Sequence, residues 1–152
     1  MKKTLSTLLL FICLTAVFAQ DSINYNEIRG KTLKFTCGAM DPKSVSATLR
    51  NLIGIDTLKI SEGRYEYYQD LGMTLIITSI FLNKPEIRQR GISCYNKCIA
   101  IDPKRGEAYY DLATLFLTNQ EYEQAKKNIA LYKKYTKKDS WNKDLIKQVE
   151  KH

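Results

Sequence analysis

Cysteine and histidine side chains are the first candidates for chemistry in this chain. Cys94 and Cys98 stand four residues apart, a spacing that places both thiols on one face of a helix. His152 is the only histidine and the last residue, so a zinc site of cysteine and histidine ligands would have to recruit the chain end. Cys37 could form a disulfide with Cys94 or Cys98 after export, or all three could be buried core residues. We predict no metal site and no cofactor.

Carboxylates recur at matching places in two similar stretches of the sequence. Residues 59–72 (KISEGRYEYYQDLG) align with residues 100–113 (AIDPKRGEAYYDLA) at an offset of 41 residues. The matching acids are Glu66, Asp70, Glu107 and Asp111. Repetition near helix starts favours a structural role, because a carboxylate there interacts with the positive end of the helix dipole. Direct contact with a ligand is the alternative.

No catalytic arrangement accompanies these acids. A histidine-based triad would have to use the terminal His152. The chain contains neither a G-x-S-x-G elbow nor a glycine-rich phosphate loop. No spacing singles out a pair of carboxylates of the glycosidase kind. We therefore predict that the protein is not an enzyme, and a redox role for the cysteines would need an exposed thiolate of low pKa.

The N-terminus has the layout of a secretory signal peptide. Lys2 and Lys3 precede an apolar stretch at 8–14, and Ala19 fits the residue before a cleavage site. A retained transmembrane anchor is the alternative, but it needs about 20 apolar residues. The later apolar run at 71–83 is also too short to span a bilayer. We expect an exported product, periplasmic or secreted, without an integral membrane span after cleavage.

Positive charge is concentrated at the C-terminal end. The chain has a formal net charge of +8; Lys2 and Lys3 contribute two of these charges, and the rest of the excess lies in residues 126–152, where nine lysines accompany three acids. We assign a basic face to six of them: Lys126, Lys127, Lys133, Lys134, Lys137 and Lys138. This face is interpreted either as a solvated helix surface or as a surface that attracts acidic proteins or phosphorylated glycolipid. Nucleic acid is not expected as a partner.

The elements that position these residues are predicted to be helices. A shift of 34 residues places 72–105 on 106–139, with apolar residues on apolar and small on small, as in Gly91 on Ala125. The offsets of 41 and 34 residues differ by about two helical turns, which indicates one unusually long helix. Apolar spacing and the break at Pro103 predict helices at 64–83, 86–101, 105–118, 121–136 and 139–151.

The N-terminal third has a weaker pattern. Residues 44–60 carry apolar side chains at helical spacing and are predicted to be a helix despite Gly54; these side chains are Val45, Leu49, Leu52, Ile53 and Leu58. Residues 23–40 are also predicted to be helical. The competing interpretation is a short strand, because Leu33, Phe35 and Cys37 alternate. We favour the helix, since a lone strand has no obvious partner.

The 34-residue helix–turn–helix period resembles the tetratricopeptide repeat. The matching positions in 106–139 are Tyr109, Leu112, Ala113, Phe116, Ala125 and Ile129, whereas Tyr132 replaces a residue that is usually small. The resemblance implies an all-α fold of stacked helical hairpins, an α-solenoid with two clear repeats. The implied organisation is a signal peptide at 1–19, a degenerate N-terminal hairpin at 20–62, repeats at 63–138 and a capping helix at 139–152.

The resemblance also implies where a partner would bind. In tetratricopeptide-like stacks the first helix of each hairpin lines a concave groove. Carried over to this sequence, the groove residues are Gln69, Met73, Ile76, Ile80, Glu107, Tyr110, Thr114 and Leu117. The long helix is apolar on its other face too, so it is either buried under the N-terminal segment or exposed as a groove for an apolar peptide.

Two functions of different class fit these observations. The first is an exported protein–protein interaction module of tetratricopeptide type, which binds a peptide or protein partner in the groove. The alternative is an immunity or inhibitor protein that neutralises a specific toxin or enzyme through its basic C-terminal face. An inhibitor of that kind would associate in a charge-steered, salt-sensitive way. The motif is generic and does not name the partner.

Overall fold

The protein is a series of helices joined by short turns. The computed structural model describes residues 22–34 and 41–152. The helices in these ranges are α1 (Tyr25–Thr32), α2 (Pro42–Ile53), α3 (Arg64–Leu82), α4 (Pro85–Ile101), α5 (Glu107–Thr118), α6 (Tyr122–Tyr135) and α7 (Lys143–Glu150). Two short strands, β1 (Ile23–Asn24) and β2 (Ile60–Glu62), and a 3₁₀ turn at Lys138–Ser140 complete the described elements.

Two helical hairpins stack side by side and form the centre of the molecule. α3 packs on α4, α5 packs on α6, and α4 contacts α5 across the Pro103 turn. α2 packs on α3 at one end of the stack, and α7 packs on α6 at the other. The prediction of an all-α fold of stacked helical hairpins is confirmed. No helix in the described part of the chain is long and apolar enough to cross a membrane.

The long helix predicted from the two repeat offsets is present as α3. It runs for 19 residues, begins after Gly63 and ends at Asn83, and both flanking residues adopt left-handed backbone conformations. At its end the Lys84 amide donates to the Ser79 carbonyl at 3.0 Å, a bond typical of a left-handed helix terminus. Pro85 then opens α4 at a position where its missing N–H costs nothing. The turn between the helices is therefore encoded locally.

The predicted helix at 44–60 is shorter in the structure. α2 ends at Ile53, and Gly54 terminates it. Leu58 belongs to no helix and is 89% exposed, so its helical spacing from Leu52 is a coincidence of the pattern. The residues that follow form β2, which pairs in parallel with β1 through Ile23 and Ile60.

Within the segment 23–40, a helix is present as predicted but is shorter, and a strand lies where none was predicted. Residues 25–32 form the expected helix α1, but they are preceded by β1, and Leu33 has an extended backbone. β1 is not the strand that the alternation predicted; it lies earlier in the chain and pairs with β2, with Ile23 opposite Ile60. Phe35 and Cys37, on which the predicted alternation rests, lie outside the described residues.

The C-terminal cap is divided rather than continuous. The predicted helix at 139–151 is a 3₁₀ turn followed by α7, with Asn142 capping α7 through its side chain. Tyr132 on α6 explains the division, because its hydroxyl donates to the Ser140 carbonyl at 2.9 Å and accepts from the Asn142 amide at 3.0 Å. The large residue that departs from the repeat pattern is therefore the anchor of the cap.

Three groups of buried side chains form a continuous core along the stack. The N-terminal group is Tyr25, Leu52, Ile60 and Tyr67. The central group is Tyr65, Tyr95, Cys98, Ala108 and Leu112. The C-terminal group is Tyr109, Ala113, Ala125, Ile129, Tyr132, Leu145, Ile146 and Val149. Each group joins neighbouring helices, as expected when hairpins bury their faces only by stacking.

Candidate functional site

A cleft of about 580 Å³ lies between the first helices of the two hairpins. α3 lines one side, α5 lines the other, and the start of α4 closes one end. Its apolar surface comes mainly from Met73, Ile76, Ile77, Ile80, Pro85, Tyr95, Tyr110 and Leu115. A concave, mostly apolar site with a few polar groups is the usual form of a binding pocket.

Close packing of α3 on α4 sets the position of one wall. Gly72 and Gly91 face each other across the interface: a β-carbon on Gly91 would approach the Ile76 side chain at 2.7 Å and the Gly72 carbonyl at 3.0 Å. Gly91 is one of the small residues that the 34-residue shift places on another small residue, Ala125. Because Ile76 is pressed against Gly91 on one side and lines the cleft on another, the glycine pair controls the shape of that wall.

A tyrosine bridges the two hairpins at one end of the cleft. The Tyr65 hydroxyl on α3 accepts a hydrogen bond from the Ala108 amide in the first turn of α5, at 3.1 Å. Its ring also carries the Arg105 guanidinium 3.9 Å from the ring centroid. The bond satisfies an amide that has no partner within its own helix. Tyr65 therefore holds the start of α5 beside α3.

Five of the eight predicted groove residues line this cleft: Met73, Ile76, Ile80, Tyr110 and Thr114. Gln69 lies beside it and donates to Asp111 at 3.0 Å. Glu107 lines a neighbouring cleft and pairs with Arg105 at 3.3 Å. Leu117 packs against the C-terminal core group instead.

The sequence left open whether the long helix is buried under the N-terminal segment or exposed as a groove, and α3 is covered at its start and exposed at its end. Its first turns are covered by the N-terminal segment, because Arg29 and Tyr25 on α1 both bond to Asp70. Its last turn is bare: Ile80 is 70% exposed, and Phe81 and Leu82 are exposed as well. The cleft opens at this bare end of α3.

Three of the four recurring carboxylates have cationic partners. Asp70 accepts two bonds from Arg29, at 2.7 and 2.8 Å, and a third from the Tyr25 hydroxyl at 2.9 Å. Glu66 accepts from Arg105 at 2.6 Å, and the same guanidinium contacts Glu107. The pairs of Asp70 and Glu66 join neighbouring segments of the stack, whereas the Arg105–Glu107 pair is local to the start of α5.

Asp111 is the exception among the four. It lines the cleft, and its one hydrogen bond within the described residues comes from the amide of Gln69. Burial raises the pKa of Asp111 from an ordinary 3.8 to about 6; the bond from Gln69 opposes the rise, and the charges of Glu107 and Asp70 add to it. A carboxylate in such surroundings is a candidate for contact with a ligand.

Basic side chains stand at the opposite end of the cleft. Lys84 and Arg88 line it beside Pro85. Arg88 pairs with Glu121 at the start of α6, whereas Lys84 forms no salt bridge within the described part of the chain. The cleft therefore has an acidic end at Asp111 and a basic end at Lys84.

The two helical cysteines are core residues in this structure. Cys94 and Cys98 are free, buried thiols, and Cys98 donates to the Tyr65 carbonyl at 3.4 Å. Burial raises the pKa of both thiols, that of Cys98 to about 12, which disfavours the reactive thiolate. Cys37, the other member of the predicted disulfide, lies outside the described residues. Among described residues, no histidine, cysteine and carboxylate groups cluster in a way that could hold a metal ion.

The six lysines of the predicted basic face differ in their surroundings. Lys126 lies 3.5 Å from Glu123, and Lys133 lies 2.9 Å from Glu150 on α7. Lys134 sits over the Tyr135 ring at 5.1 Å. The remaining three, Lys127, Lys137 and Lys138, make no salt bridge within 22–34 and 41–152. Local acids thus partly neutralise the basic face.

Sequence reasoning missed part of the cleft. Ile77, Arg88, Asp111 and Leu115 line it together with the predicted residues. No local signal in the sequence distinguished Asp111, because Asp70 and Glu66 also lack a basic residue three or four positions away. Helix neighbours at these distances are the ones that could pair with an acid locally.

A family model of the tetratricopeptide repeat matches residues 94–127 of the chain. The matched segment contains the end of α4, all of α5 and the start of α6. No curated protein and no solved structure is significantly similar to the chain. A tetratricopeptide repeat indicates a protein–protein interaction module, a class of scaffold that is generally not enzymatic. The match confirms that this protein is tetratricopeptide-repeat-like at the joint between its two central hairpins.

Proposed function

We propose that this protein binds a segment of a partner protein in the cleft between α3 and α5, and that it does so after export from the cytoplasm. The observation that carries the proposal is the bare apolar end of α3, where Ile80 faces the cleft and remains 70% exposed. Exposed apolar surface beside a concave site is typical of a binding surface. The export part of the proposal rests on the pattern of the first 19 residues.

The binding proposal can be tested without knowing the natural partner. Random peptides displayed on phage are selected on the purified protein, and the affinities of the selected peptides are measured by fluorescence anisotropy. Ile80→Glu should weaken the binding of cleft-directed peptides by about tenfold or more, because it places a charge in an apolar contact. The control is Ile53→Glu at the end of α2, where the isoleucine is 59% exposed and lies away from the cleft.

The two variants separate the possible results. Equal binding by the wild-type protein and Ile80→Glu for all selected peptides would show that the cleft is not the binding site. If binding instead declined steeply with salt and with removal of Lys127, Lys137 and Lys138, the basic face would be the binding surface. That result would favour the inhibitor alternative, in which charge steers association.

Export has its own test. The full chain is expressed with a C-terminal tag, and the mass of the mature product is measured together with its cell fraction. We expect the protein outside the cytoplasm with its first residue at Gln20. A cytoplasmic product of full mass would contradict the proposal of export, but it would not bear on the proposal of binding in the cleft.

A further inference from the structure

The charge pattern of the cleft carries information about its occupant. Asp111 on α5 lines the cleft together with the apolar side chains of Met73, Ile76 and Ile77 on α3. One of its oxygens accepts from Gln69 at 3.0 Å, and the other has no hydrogen bond within the described residues. That oxygen is open to the cleft, because Arg88 Nε is the only buried side-chain polar atom without a hydrogen bond among the described residues. A cationic group that enters the cleft can therefore reach the Asp111 carboxylate, which has no salt bridge within the described residues.

Asp70 differs from Asp111 in having a counter-ion within the described part of the chain. Asp70 and Asp111 occupy matching places in the two similar stretches. Asp70 is 2% exposed and is neutralised by the bidentate Arg29. The charged groups that act on Asp111 are Glu107 and Asp70 themselves, both acidic. Arg29 is thus the counter-ion of Asp70, whereas Asp111 has none among the described residues and faces the cleft.

The length of the cleft limits what can lie between its ends. From Asp111 to Thr118, α5 rises by seven residues, which corresponds to about 10 Å. An extended chain covers that distance in about three residues. The surface between is aliphatic, formed by Ile76, Ile77 and Ile80 of α3. Lys84 at the far end would repel a second cation, so a positive group fits only at the Asp111 end.

We propose that the segment bound in the cleft carries a lysine or arginine side chain that pairs with Asp111, followed along the cleft by two or three aliphatic side chains. This inference rests on the proposed function and specifies the partner's chemistry at that same site. The basic group supplies the counter-ion that the Asp111 carboxylate lacks, and the aliphatic residues cover the bare end of α3. A desolvated charge pair of this kind contributes to affinity and fixes the register of the segment.

The test is a charge exchange at Asp111. Peptide libraries are selected in parallel on the wild-type protein, Asp111→Asn and Asp111→Lys, with Asp139→Asn as the control on the exposed 3₁₀ turn. Peptides selected on the wild type should share one basic residue beside an aliphatic run. Asp111→Asn should weaken them by about tenfold or more, and Asp139→Asn by less than about twofold. Asp111→Lys should select peptides with an acidic residue in that place.

The outcomes distinguish this inference from the binding proposal. If peptides are weakened by Ile80→Glu but share no basic residue and are indifferent to Asp111→Asn, the cleft binds peptides and the charge inference is wrong. If neither variant has an effect, both proposals fail. Self-association of the purified protein that Asp111→Asn abolishes would assign the cleft to a second copy of the chain and overturn the peptide segment as occupant. Because Asp111→Asn is nearly isosteric, its effect can be measured even if Asp111→Lys does not fold.

Discussion

At the scale of single residues, Asp70 and Asp111 differ in the number and charge of the groups that bond to their carboxylates. Asp70 receives three hydrogen bonds, two of them from a guanidinium. Asp111 receives one from a neutral amide. Natural proteins accept local destabilisation mainly where function requires it. The smaller number of bonds to the Asp111 carboxylate supports the proposal that this residue contacts a bound segment.

The first prediction concerns the stability of Asp111→Asn. In the folded protein burial raises the pKa of Asp111 to about 6, so the folded state binds the proton more tightly than the unfolded state does. The carboxylate therefore destabilises the fold above about pH 6, and this penalty disappears as pH falls towards 4. Asparagine keeps the bond to Gln69 and removes the charge. We expect Asp111→Asn to raise the free energy of unfolding at pH 7.5 by about 1–2 kcal/mol.

Urea denaturation at pH 7.5 and pH 4 measures this difference. The matched control is Asp70→Asn, which should lower stability at pH 7.5 by about 2 kcal/mol because it breaks the pair with Arg29. A stabilisation by Asp111→Asn that persists unchanged at pH 4 would mean that the charge is not its cause. If Asp111→Asn destabilised the protein at pH 7.5, the carboxylate of Asp111 would have a structural role like that of Asp70.

At the scale of helices, the interface between α3 and α4 depends on two glycines. Alanine on an exposed helix position is more favourable than glycine by about 1 kcal/mol. At Gly91 the added methyl group would collide with Ile76 and with the backbone of Gly72. At this position the steric cost of a methyl group opposes the gain in helix propensity, and we expect the steric cost to be the larger of the two.

The second prediction is that Gly91→Ala destabilises the protein by about 1–2 kcal/mol, because overpacking outweighs the gain in helix propensity. Thermal or urea denaturation measures the change. Gly30→Ala on α1 is the matched control, since a β-carbon there meets no atom within 4 Å; it should be neutral or stabilising by up to about 1 kcal/mol. If both variants were stabilised alike, the interface would be looser than the structure shows.

At the scale of the whole molecule, the stack ends in a cap that is attached by few contacts. α7 buries Leu145, Ile146 and Val149 against α5 and α6. The Tyr132 hydroxyl makes two bonds to the segment that leads into it. The Tyr110 hydroxyl accepts one more, from the Asn142 side chain at 3.1 Å. In stacked repeats the terminal unit contacts only one neighbour and opens first.

The third prediction is that Tyr132→Phe loosens the cap without unfolding the hairpins. Loss of the two hydroxyl bonds should lower the local opening free energy of α7 by about 1 kcal/mol, so its amides exchange hydrogen several-fold faster. Hydrogen–deuterium exchange with mass spectrometry compares residues 143–150 with α4. Tyr135→Phe is the control, since its ring stacks on Tyr109 and its hydroxyl makes no hydrogen bond within the described residues. Equal protection of α7 in both variants would contradict the anchoring role.

The sequence predicted the central helices well because their signals are local. The seven-residue difference between the repeat offsets identified α3, and Pro103 and the period-34 pattern located α4, α5 and α6. The same reasoning failed for residues 54–60, where apolar residues at helical spacing are interrupted by Gly54. It also missed β1, because pairing with β2 is a contact between distant parts of the chain. Non-local pairing leaves little trace in local periodicity.

By itself, the sequence determined that this chain forms a stack of helical hairpins with a basic C-terminal end. Repeat period, helix breakers and amphipathic spacing act over one or two helical turns, so a linear pattern records them. The tertiary structure alone decided which carboxylate has a counter-ion. Asp70 and Asp111 match in the aligned stretches, but Arg29 pairs with the first, because α1 packs on α3. An acid's environment depends on which distant element covers it, and no spacing along the chain encodes that.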